Sequence, residues 1–188
     1  MTWPPILALR LLALGLLAAI VEIAAVSQVT LFGVSADISP LVVMSAGLLG
    51  GAILGASFGF GMGLFLDMAL VQTLGVSSLV LLAIGYGAGR VRELRDPQAA
   101  LTPLAAGAAA TAIGTVSYST IQFLLGVDAP VSFELLRQMA ATVIVNTLIA
   151  MPVFAAVRRW LQPALPEDPR RRRRRAYTTG GLSPLSRA

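Results

Sequence analysis

The chain has 188 residues, 56% of them hydrophobic and 12% charged, with a mean hydropathy of +0.81. A soluble domain carries about twice that share of charge, so an ordinary water-soluble globular protein is excluded and lipid is the main solvent. All 14 basic residues are Arg, and Cys, His and Lys are absent, which removes disulfides, thiolate and imidazole metal sites, Cys or His catalysis and Schiff-base chemistry.

The first apolar run spans residues 6–26, with Trp3, Pro4, Pro5 and Arg10 at its start. An interfacial aromatic and a snorkelling Arg suit the entry of a membrane span. The run is longer than the apolar core of a cleaved leader, and further runs follow, so a permanent span is expected. The link 27–39 holds Asp37 and no basic residue. Further apolar stretches follow at 41–66, 75–89, 101–125 and 135–157. At about 20 residues per spanning helix, these runs supply five or six spans.

Basic residues flanking spans mark the cytoplasmic side. They occur at Arg10, at Arg90, Arg92 and Arg95, and after 157, whereas the links 27–39, 71–74 and 126–134 are acidic or neutral. All these Arg share one side only if the segment 38–73 crosses twice, or enters and returns. Gly50 and Gly51 are the natural place for that reversal. Each arm is then about 18–30 Å long at 1.5 Å per residue, so the first is short for the bilayer core and needs shielding from lipid by its neighbours. The expected fold is all-α and polytopic, with about six transmembrane helices and both termini cytoplasmic. Five spans is the alternative. Residues 1–160 form the membrane domain and 161–188 a cytoplasmic, Arg-rich, disordered tail.

Gly47, Gly51, Gly55, Gly59 and Gly63 recur every four residues, which places them on one helical face where another backbone can approach closely. Packing within the chain is favoured for Gly51, Gly55, Gly59 and Gly63, and docking of a partner's single span is the alternative. Glu22 and Asp67 sit inside or at the end of apolar runs, where a charge costs about 2.5–3.5 kcal/mol and therefore faces protein or water. Gln122, Gln138 and Asn146 fall near the same level, the last two in a stripe with Glu134 and Thr142. These residues define a candidate polar cavity opening outward; helix-end solvation and interhelical hydrogen bonding are the alternative. Gln72, near that level too, is read as an interhelical contact. Nothing brings two carboxylates together as an acid–base pair, so no enzyme, metal or cofactor is expected.

Arg158, Arg159, Arg170, Arg171, Arg172, Arg173, Arg174 and Arg175 follow the last run. They are expected to anchor the topology and contact anionic lipids. Without interleaved aromatics, a nucleic-acid role is not expected.

The order of these features resembles a known family. An N-terminal span leads to an Asp-containing link and Pro40. A Gly-rich segment then ends in Gly59-x-x-x-Gly63-x-x-x-Asp67, and Leu74-Gly75 and a span reaching Gly89 follow. Over roughly residues 5–160 the chain resembles the rod shape-determining membrane protein MreD of bacteria. The resemblance implies a non-enzymatic, multi-pass inner-membrane component of the cell-elongation machinery for peptidoglycan synthesis. It also implies MreC as a single-span partner, with MreB, RodA and class B penicillin-binding proteins alongside. The implied fold looks like the substrate-binding subunits of energy-coupling-factor transporters. A vitamin-like ligand held by such a subunit is the alternative function.

Overall fold

The computed structural model describes residues 4–28, 37–94, 101–126 and 133–165. Six α-helices account for nearly all of them: α1 (Pro5–Gln28), α2 (Ile38–Gly50), α3 (Ala52–Ala69), α4 (Val76–Leu94), α5 (Leu101–Leu124) and α6 (Phe133–Leu161). No strand occurs among the described residues. Helices α1, α3, α5 and α6 contain stretches long and apolar enough to cross a bilayer. The all-helical expectation holds, with four such helices where about six spans were expected.

The break between α2 and α3 falls at Gly51, whose φ of 95° is the left-handed region that side chains disfavour. Its N–H still bonds Gly47 O, at 2.8 Å, so α2 is closed off cleanly before the chain turns. The two helices then run antiparallel. A Cβ built on Gly55 would meet Gly47, and one on Gly59 would meet Val43, pairs equidistant from Gly51. The reversal expected from the Arg count is thus present as a tight helical hairpin.

Helix α2 has 13 residues, about 20 Å at 1.5 Å per residue, too short for a core of about 30 Å. Its neighbours solve the problem. It packs against all five other helices, and the unbroken run Leu41–Leu48 is buried. A short helix in this position meets protein on every side, so its ends need not reach the lipid headgroups.

The closest packing joins α3 to α4. Along this antiparallel pair, Gly55 lies against Gly85, Gly59 against Leu81, Gly63 against Ser78 and Gly89 against Ala52. In each pair a Cβ built on the glycine would collide with the partner's backbone, so the two helices touch main chain to main chain. The outer faces are different. Nothing lies within 4 Å of a Cβ built on Gly61 or Gly87.

Substitution should separate the two kinds of glycine. Gly55→Ala or Gly85→Ala forces backbones apart and should cost about 1–3 kcal/mol, as overpacking does. Gly61→Ala and Gly87→Ala should be neutral or stabilising by up to about 1 kcal/mol, from helix propensity. Unfolding of the four variants in detergent micelles measures both.

Candidate functional site

The helix ends sort by chemistry. At one end Arg10 on α1 donates to the Trp160 carbonyl on α6 at 2.9 Å, and the Trp160 indole N–H returns a bond to the Arg10 carbonyl at 3.2 Å. Arg92 reaches the Gly51 turn at this same end. Arg158 and Arg159 lie in the last turn of α6. Residues 170–175 lie outside the described residues.

The opposite end is polar and carboxylate-bearing. The cavity there has a volume of about 450 Å³, and all six helices contribute to its wall. Glu22 enters from α1, Asp37 and Ser39 from the start of α2, and Leu66 and Leu70 from α3 and its end. Gln72 comes from the α3–α4 link and Ser77 from α4. Thr115, Tyr118 and Ser119 come from α5, and Gln138 and Thr142 from α6. Pro40, Val80, Leu81 and Met139 make the rest of the wall largely apolar.

Two carboxylates inside the bundle act on helix starts other than their own. Helix N-termini carry unsatisfied N–H groups and a partial positive charge, so a carboxylate is stabilising there. Glu22 Oε2 accepts from the Ser39 N–H at 2.9 Å and from the Ser39 hydroxyl, which caps α2. Asp67, 1% exposed, does the same for α4. Its Oδ2 accepts from the Gly75 N–H at 2.7 Å and its Oδ1 from the Ser77 N–H at 3.3 Å. The Asp67 carbonyl also accepts from the Gln72 N–H at 2.9 Å. Asp67 therefore ties the α3–α4 link together from behind the cavity.

Asn146 is fully buried one turn along α6 from Thr142. Its Nδ2 donates to the Asp37 carbonyl at 2.9 Å and to Thr111 Oγ1 at 3.3 Å. The start of α2 is thus held from both sides, by Glu22 of α1 and Asn146 of α6. Across the cavity Gln122 donates to the Tyr118 hydroxyl at 3.0 Å, which donates to Gln72 Oε1 at 2.8 Å. The Asp37 carboxylate makes no cap bond to α2. Asp37 lies in the link, and burial pushes its carboxyl above the ordinary carboxylate range.

Of the sequence candidates, Glu22 and Gln138 line the cavity; Gln122 and Asn146 support residues that do, and Asp67 is taken up by backbone N–H groups. Gln72, read as an interhelical contact, lines the cavity as well as bonding α5. Asp37, Ser39, Thr115, Tyr118 and Ser119 were not singled out. The polar stripe on α5 at 115, 118, 119 and 122 carries a helical-spacing signal that could have found three of these five, Thr115, Tyr118 and Ser119, but Asp37 and Ser39 are recruited by the fold of the link. Gly55, Gly59 and Gly63 face α4, and Gly51 makes the turn. Arg137, omitted from the Arg count, is exposed near the start of α6, at the cavity end.

The fold and cavity define an all-helical membrane protein with a polar chamber at one end of the bundle. Its sequence matches the family model of rod shape-determining protein MreD over residues 6–162, and the chain belongs to that family, with a role in determining rod shape. No curated protein and no solved structure matches the chain. The likeness to energy-coupling-factor subunits stays an expectation of the family resemblance.

The capping roles predict stability effects. Asp67→Leu leaves two N–H groups at the start of α4 without their acceptor and should cost about 1–2 kcal/mol, with Asp67→Asn closer to wild type. Asn146→Leu should cost about 1–3 kcal/mol by stranding the Asp37 carbonyl. Thermal unfolding of the purified variants tests both.

Proposed function

We propose that the protein is a non-enzymatic scaffold of the elongation machinery in the bacterial inner membrane, holding the single span of MreC and, with it, the peptidoglycan synthases. Family membership over residues 6–162 is the observation that carries this reading. The Arg-bearing helix ends face the cytoplasm in this proposal, and the cavity faces outward.

The structure redirects the choice of docking face. The Gly55–Gly63 face is filled by α4, so a partner span belongs elsewhere. The groove between α1 and α3 is open, with a volume of about 740 Å³, and is lined by Ala8, Leu12, Gly15, Ser57, Gly61 and Phe65 among others. Small residues there admit a helix closely, and the larger apolar ones flank it.

Gly61→Leu fills this groove without touching α4. It should abolish copurification of MreC from mild detergent and rounded cells should result, while the variant inserts and unfolds like wild type. Unchanged copurification would rule out the α1–α3 groove as the docking face. Orientation has its own measurement. A reporter fused after Arg92 should be active only as a cytoplasmic fusion, and a periplasmic signal would invert the proposed topology.

A further inference from the structure

The scaffold reading leaves the cavity at the carboxylate-bearing end without a task. Its chemistry is lopsided. Among the described residues two carboxylates, Glu22 and Asp37, line it, and no Arg does. Residues 29–36 and 127–132, which lie outside the described residues, contain no basic residue in their sequence. Arg137 is exposed and is not among the residues that line the wall. Two like charges in a largely apolar enclosure repel each other and are poorly solvated.

Hydrogen-bond accounting points the same way. Glu22 Oε2 is used by Ser39, but the Asp37 carboxylate caps nothing. Beside the chamber, Asn146 Oδ1 and Gln122 Oε1 are buried acceptors without a donor. Asn146 is fully buried and directly bonded to Asp37 through its amide nitrogen. Acceptors are therefore in surplus, and buried acceptors are ordinarily satisfied. A ligand rich in N–H donors and positive in charge would satisfy the two carboxylates that line the chamber.

Size and walls narrow the class. A chamber of about 450 Å³ falls in the range of small-molecule pockets and is far larger than a bare metal ion needs. Leu66, Leu70, Val80, Leu81 and Met139 provide an apolar surface, and Tyr118 adds an aromatic ring and hydroxyl. Cations are attracted to such rings, and an apolar body is favoured against such walls. We propose that this cavity is a binding site for a small organic cation, an ammonium- or guanidinium-bearing molecule with an apolar body, whose charged group lies between Glu22 and Asp37.

The site is separate from the α1–α3 groove, so its test does not depend on partner docking. Three isosteric probes are titrated by calorimetry into the purified full-length protein in lipid nanodiscs: phenethylammonium, the neutral 2-phenylethanol and the anionic 3-phenylpropanoate. Phenethylguanidinium serves as a second cation. At least one of the two cations should bind saturably with one site per chain, and at least tenfold more tightly than the alcohol; the anion should not bind. Asp37→Asn should weaken the cation at least tenfold and leave the unfolding temperature of the ligand-free protein unchanged or raised, because that carboxylate caps no helix and its repulsion of Glu22 is removed. Glu22→Gln, which keeps an acceptor for Ser39, should weaken it similarly. Failure of both cations to bind would overturn the proposal. Equal binding of the neutral alcohol, or undiminished binding to Asp37→Asn, would overturn it as well.

Discussion

Main-chain contact between α3 and α4 is the constraint on which the other features rest. Side chains normally hold helices 8–10 Å apart. Here Gly55, Gly59, Gly63, Gly85 and Gly89 remove the spacers along one seam. Dispersion contacts between backbones replace the hydrophobic effect, which offers little between helices already in lipid. The same seam draws in α2, since Gly47 meets Gly85 and the start of the Gly89 turn. A 13-residue helix can then lie inside the membrane bundle with protein on every side. Close packing of these three helices also sets the level at which the α2 start and the α3–α4 link meet.

That meeting level determines what the acids do. Helices that begin inside or near the bilayer expose N–H groups with no water to satisfy them. Glu22 and Asp67 each supply the missing acceptors to a neighbouring helix, α2 in one case and α4 in the other. Their presence in apolar runs is explained by this structural work. Their consequences differ. The Asp67 carboxylate is consumed behind the wall, whereas Glu22 caps α2 and still lines the chamber with Asp37. Asn146 completes the arrangement by gripping the Asp37 carbonyl, so the chamber floor is built from the same bonds that hold α2 in place.

The chain's two surfaces of interest are consequently far apart in character. The α1–α3 groove is apolar, bordered by Gly15 and Gly61, and suited to a helix in lipid. The chamber is polar, acidic and reached from one end of the bundle. The proposed partner span is assigned to the groove and the proposed organic cation to the chamber.

Composition alone established the solvent, since so few charges cannot cover a water-exposed surface. The distribution of Arg then required a reversal within 38–73, and the Gly50–Gly51 pair located it, because only glycine takes the backbone angle of that turn without strain. The four-residue glycine period likewise announced a close helix contact. None of these required knowledge of distant neighbours. The partners did. Whether Gly55 meets α4 or another protein's span, and whether Asp67 faces a cavity or the backbone of Gly75 and Ser77, depends on which helix lies alongside, and periodicity specifies a face without naming what covers it. Asp37, Ser39 and Tyr118 joined Glu22 and Gln138 only when six helices converged. Contacts between residues 17, 35, 46 or 109 positions apart are set by packing in three dimensions, and no local pattern along the chain encodes them.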